Sequence, residues 1–91
     1  MLEREVMEHI LKENIERGRT LSSLADEYGV STSSLSRWKR QFIKEASEDA
    51  EKKRQLEVMQ ENRRLKEELE ELKKENDFLK KAAAFFAKEQ D

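Results

Sequence analysis

The sequence predicts an all-α protein: an N-terminal three-helix head carrying a helix-turn-helix, joined to a long C-terminal helix that pairs in parallel as a coiled coil. Three observations predict it. The 91 residues include two Gly and no Pro, too few breakers for a loop-rich fold or a many-turned sheet. Charged residues make up 44% against 35% apolar, with the Glu, Lys and Leu that long helices favour. Beyond residue 55 the apolar side chains recur by sevens towards the C-terminus. A chain this short and polar has no room for a large single core. The pattern divides it into a head over residues 1–44, a helical joint or linker over 45–54, and a dimerisation helix over 55–91.

The first helix is expected from about Arg4 to Glu16, where Val6, Met7, Ile10, Leu11 and Ile15 share one broad face. Gly18 supplies a stop. Thr20 can cap a short second helix, about Leu21 to Tyr28, whose hydroxyl accepts amide bonds that the first turn leaves unpaired. Gly29 ends it, because glycine reaches the left-handed region without a Cβ penalty. Val30 fills the turn, and Ser31 caps a third helix from about Thr32 to Phe42 or further into the joint. This spacing is that of a helix-turn-helix. Ala25 is small enough for two helices to approach, Gly29 makes the turn four residues later, and Val30 plugs the corner. Leu24, Tyr28, Leu35, Trp38 and Phe42 supply the inner faces.

Charge points to a polyanion. The net formal charge is −2, yet no acid lies between Tyr28 and Lys44, a window holding Arg37, Lys39, Arg40 and Lys44. The outer face of the third helix reads Thr32, Ser33, Ser36, Arg37, Lys39 and Arg40. A recognition helix presents its N-terminal residues to base edges in the major groove of double-stranded DNA. Thr32, Ser33, Ser36 and Arg37 are spaced for that; Arg bonds guanine bidentately, and hydroxyls donate or accept. Lys39 and Arg40 sit where phosphate contact is expected, and Arg17 and Arg19, ahead of the second helix, can hold the backbone on the other side.

The joint, residues 45–54, lacks both apolar periodicity and a breaker, and its residues are good helix formers, which favours helix. Beyond it, Leu65, Leu72 and Leu79 take heptad position d, with Val58 upstream and Phe86 downstream; Asn62, Leu69, Asn76 and Ala83 fall at a. Leu at d suits two strands, and Asn at a fixes register. Glu61, Glu68 and Glu75 at g face Lys66, Lys73 and Lys80 at e of a parallel partner; an antiparallel pair would oppose like charges. The expected partner is a second copy, and a heterodimer with a chain of the same pattern is the rival arrangement. Phe78 and Phe85 fall at c, where water is expected, and mark a contact for a further partner or a higher oligomer.

Other classes find little support. Cysteine is absent, so there is no disulfide and no thiolate metal site. No apolar run approaches the roughly 18 residues of a membrane span, and Met1-Leu2-Glu3-Arg4-Glu5 lacks the apolar stretch of a signal peptide. The expected location is the cytoplasm, on the nucleoid when bound to DNA. No cofactor, metal, catalytic residue or small-molecule substrate is expected; His9, the one histidine, reads as a helix-surface residue.

Two segments also resemble a family. Leu21-Ser22-Ser23-Leu24-Ala25-Asp26-Glu27-Tyr28-Gly29-Val30-Ser31 with Ser34-Leu35-Ser36-Arg37-Trp38 is similar to the helix-turn-helix of bacterial insertion-sequence transposases. The stretch from Glu75 to Glu89, containing Asn76-Asp77-Phe78-Leu79-Lys80-Lys81-Ala82-Ala83-Ala84-Phe85-Phe86, resembles the end of the short first-frame (OrfA-type) proteins of such elements. The resemblance covers nearly the whole chain. It implies binding to the terminal inverted repeats of the protein's own element, pairing through the zipper with itself and with a longer frameshifted catalytic transposase, and support or regulation of transposition. The Asp/Asp/Glu strand-transfer domain of that longer protein has no counterpart here, so the chain is expected not to be an enzyme. Two other readings fit the same residues: a small dimeric repressor unrelated to transposition, and a coiled-coil adaptor whose head binds protein.

Overall fold

The computed structural model describes residues 3–89 and contains four helices: α1 (Arg4–Ile15), α2 (Leu21–Tyr28), α3 (Thr32–Glu48) and α4 (Ala50–Glu89). Met1, Leu2, Gln90 and Asp91, the ends of the expected head and rod, lie outside the described residues.

Local chemistry sets each boundary in the head. α1 stops at a glycine: Gly18 has φ +74°, its N–H bonds the Asn14 carbonyl at 3.1 Å, and the Arg19 N–H reaches the Glu13 carbonyl at 3.1 Å. These two bonds satisfy carbonyls that the helix end would otherwise leave unpaired. Thr20 Oγ1 then accepts the Ser23 N–H at 3.1 Å and opens α2. Gly29, with φ +67°, closes it, and the Val30 N–H folds back to the Ala25 carbonyl at 3.1 Å. Ser31 Oγ accepts the Ser34 N–H at 3.1 Å and starts α3.

The core gathers one layer from each of these helices. Ile10, Leu24 and Leu35 have no exposed surface, and Ala25 lies among them. Val6, Leu21, Tyr28, Val30 and Trp38 pack around the cluster. Burying a side chain such as Ile10 or Leu24 is worth about 1.5–3 kcal/mol. Leu11, Ile15 and Ala46 are buried outside the cluster.

Helix does not run unbroken through the joint. α3 continues to Glu48, and the chain then turns at Asp49, whose backbone is extended (φ −126°, ψ 118°). Asp49 Oδ1 accepts the amides of Glu51 at 2.9 Å and Lys52 at 3.2 Å, so the carboxylate caps α4. An aspartate offers the backbone this alternative to helix, a competition that the flanking helix formers hide from a propensity reading. Lys52 Nζ reaches Glu45 Oε2 at 2.6 Å across the corner.

After the corner, α4 packs against α1 as well as α3. Gln55 and Met59 lie beside α1 near Glu8, Leu11 and Lys12, with Phe42 of α3 completing the groove. Asn62 and Arg63 reach the end of α1. Beyond them α4 projects alone, and nearly every side chain from Glu61 to Glu89 is exposed. The radius of gyration is 19.6 Å, against about 12 Å for a compact domain of this length.

Candidate nucleic-acid interface

The outer face of α3 is built by its cap and its core residues. Ser31 fixes the first turn, and its hydroxyl also donates to Ser34 Oγ at 2.8 Å. Leu35 and Trp38 anchor the inner side. The opposite side holds Thr32, Ser33, Arg37 and Arg40 exposed, with Ser36 and Lys39 half-buried at its edges. Among the described residues, no carboxylate lies within ion-pair distance of Arg37, Lys39, Arg40 or Lys44. The face offers unneutralised cations and short hydroxyls on one rigid helix, the equipment of a groove-reading element.

Arg17 and Arg19 are differently placed. Both are engaged by acids: Arg17 Nη1 lies 3.4 Å from Glu13 Oε1, and Arg19 Nη1 lies 3.9 Å from Glu13 Oε2. Arg19 also pairs with Glu27 and donates to Ser23 Oγ at 3.0 Å. The hydrogen bond that it donates to Glu27 holds the Arg19 guanidinium above its ordinary range. Asn14 Nδ2 donates to the Arg19 carbonyl at 2.7 Å. Arg19 therefore ties the α1–α2 loop to α2, and a phosphate there has to compete with Glu13 and Glu27.

Glu13, about nine-tenths buried, is the residue that sequence reasoning missed. Its four-residue spacing from Arg17 was the available signal. Arg63 was missed too: Nη1 donates to the Asn14 carbonyl at 3.3 Å, and Nε donates to Glu67 Oε1 at 2.9 Å.

On α4, Leu65, Leu69, Leu72 and Leu79 are each about half exposed, as is Val58. With Phe86 they leave an apolar line along the rod; Asn76 and Ala83 share it and are exposed. Phe78 and Phe85 are also exposed, and the Phe85 and Phe86 rings meet edge to face at 5.9 Å. Asn62 is turned towards the head, its Nδ2 donating to Glu16 Oε1 at 3.1 Å. At g, Glu61 and Glu68 are both bonded by Arg64, which keeps the Glu61 carboxyl below its ordinary range.

The molecule is thus a helix-turn-helix DNA-binding head on a long amphipathic rod. Its family is the transposase helix-turn-helix family, whose model matches residues 3–84, and the chain belongs to it. Neither the curated proteins nor the solved structures contain a match to the chain. Membership gives the protein a transposase-related, DNA-binding role, and the family model describes a binding domain rather than a catalytic one. No helix among the described residues is long and apolar enough to cross a membrane.

Proposed function

We propose that this protein binds the terminal inverted repeats of its own insertion sequence and self-associates through α4 as a parallel zipper. It pairs through the same seam with a longer catalytic transposase, and so supports or regulates transposition. One combination supports the reading: a single chain of the transposase family joins an α3 face whose cations lack ion-pair partners among the described residues to a rod on which Leu65, Leu69, Leu72 and Leu79 stand about half exposed. Thr32, Ser33, Ser36 and Arg37 read bases, Lys39 and Arg40 contact phosphate, and Arg17 and Arg19 steady the backbone. Val58, Asn62, Leu65, Leu69, Leu72, Asn76, Leu79, Ala83 and Phe86 form the seam, with Phe78 and Phe85 left for a further contact.

Affinity sequencing of fragmented genomic DNA on the purified chain tests this at physiological salt, where non-specific phosphate binding no longer dominates. Enrichment at inverted repeats flanking its own gene, and at further copies, is the expected result. A single promoter peak indicates a repressor, and no enrichment removes DNA from the reading. On an enriched site, Arg37→Ala costs about 1–3 kcal/mol and relaxes specificity at one base pair. Equal loss on all sequences makes Arg37 a phosphate contact instead.

A further inference from the structure

The head does not hang freely from the rod. Two side chains of α4 reach across 46 and 49 residues of sequence to the end of α1: Asn62 Nδ2 to Glu16 Oε1 at 3.1 Å, and Arg63 Nη1 to the Asn14 carbonyl at 3.3 Å. Gly18 makes the second contact possible. A Cβ there would stand 3.0 Å from Arg63 Cζ, so the guanidinium lies directly over a residue without a side chain. Asn14 is buried, and its Nδ2 holds the Arg19 carbonyl. Arg63 is therefore bonded to the last turn of α1, at the residue whose side chain holds the loop leading into α2.

In heptad terms the head covers one flank of α4. Lys52, Met59 and Lys66 are e positions, Leu56 and Arg63 are b positions, and Gln55 and Asn62 are a positions at the border of the seam. All but Leu56 line a groove beside the head or bond to it. Val58 and Leu65, the d residues of the same turns, remain about half exposed. The head touches the a side of the seam at Gln55 and Asn62 and leaves its d side open.

We propose that Arg63, supported by Asn62, is a positioning residue that joins head and rod into one rigid unit and thereby fixes the separation of the two recognition helices in the dimer. The inference rests on the DNA-binding dimer proposed above. With the latch closed, two heads sit on opposite flanks of one two-helix rod, and only DNA with the matching half-site spacing meets both recognition faces. With it open, the Asp49 cap, the Lys52–Glu45 pair and the packing of Gln55 and Met59 beside Leu11 and Phe42 hold only the base of α4, and each head gains freedom to swing about Asp49.

The test has two readouts on the full chain. The protein contains no cysteine, so spin labels on Asp26→Cys and Lys74→Cys report head and rod without interference. A small labelled fraction in excess unlabelled chain reads only the distance within one chain, whether or not it dimerises. The expected result is one narrow distance in the wild type and a broad distribution in Arg63→Ala and Arg63→Gln, with helical circular dichroism retained. Equal widths in wild type and variants, narrow or broad, overturn the latch.

The second readout is binding to duplexes carrying two copies of a half-site selected on the wild-type chain, at varied spacing. The wild type should prefer one spacing by about tenfold over one shifted by half a helical turn, about 5 base pairs. Arg63→Ala should lose that preference and keep its affinity for a single half-site. A preference unchanged in the variant overturns the positioning role. Absence of selective DNA binding in the wild type, with the narrow distance retained, overturns the DNA reading while upholding the latch.

Discussion

The two glycines of the head occupy the same backbone region, yet alanine should be tolerated unequally. Gly29 has φ +67°, and a Cβ built on it meets nothing within 4 Å. The cost of Gly29→Ala is then conformational alone, about 1–2 kcal/mol for a left-handed L-residue. The stiffer unfolded chain offsets about 0.4–1 kcal/mol of that. The net is about 1 kcal/mol. Gly18 has φ +74° and carries the same cost, but its Cβ would meet Arg63 Cζ and Nη1, both at 3.0 Å. The guanidinium has to move, and its bond to the Asn14 carbonyl, worth about 0.5–1.5 kcal/mol, goes with it. Gly18→Ala should therefore cost about 2 kcal/mol. Trp38 is the one tryptophan, and it packs against the head core. Its fluorescence during urea unfolding reads the head while circular dichroism mostly reads the rod. At one fixed protein concentration, each kcal/mol should lower the head midpoint by about 4–8 °C in a thermal version of the assay. Equal losses at Gly18 and Gly29 would show that Arg63 yields freely and would refute the reasoning.

Leu69→Lys with Leu72→Lys places charges on the seam and should give monomers by sedimentation, with weaker DNA binding because two heads no longer act together; a variant that stays dimeric refutes the seam. Glu45 is held below its ordinary 4.5, first by the hydrogen bond from Lys52 and then by that from Gln41. A depressed carboxyl contributes stability above its unfolded pKa and loses it as pH falls through the folded value. The Trp38 transition of Lys52→Ala should thus fall less than that of the wild type between about pH 5 and about pH 3; parallel curves would remove the corner pair from the acid response. Phe78→Glu with Phe85→Glu should leave the dimer mass intact and abolish any larger species or captured partner chain. Unchanged mass and unchanged partner binding would show that the c-position phenylalanines make no contact.

The boundaries of α2 were legible because their causes are local. Thr20, Gly29 and Ser31 each act within four residues of themselves, and the structure places the helix at Leu21–Tyr28 as the caps require. The two sides of α3 were legible for the same reason, since Leu35 and Trp38 define an inside and leave the cations out. The corner at Asp49 was not: Ala46, Glu48, Ala50 and Glu51 all favour helix, and only the carboxylate cap breaks it. The return of α4 onto α1 was hidden further still. Its bonds join residues 46 and 49 apart, and no period or cap in one segment announces a partner in another. Arg19 shows both sides. Its charge suggested phosphate, while Glu27, eight residues on and in another helix, gives it a partner within the fold.

Among the described residues the largest fully buried side chains are Ile10, Leu24 and Leu35, a small core that leaves the head little margin. Contacts from α4 along Leu11 and at the end of α1 therefore matter to its folding. In the proposed dimer the second chain is a ligand for folded α4 and not for unfolded chain. Such a ligand stabilises by RT ln(1 + [L]/Kd), about 2.7 kcal/mol at a hundredfold excess over Kd. Because Asn62 and Arg63 bind the head to the rod, that stabilisation should reach Trp38. The fluorescence midpoint should rise with protein concentration through the dimer Kd, together with the circular dichroism midpoint. In Arg63→Ala the two should part, the rod still responding to concentration and the head no longer doing so. A wild-type head transition that ignores concentration while the rod transition moves would show two independent units, and the latch would then carry no energy between the zipper and the DNA-reading face.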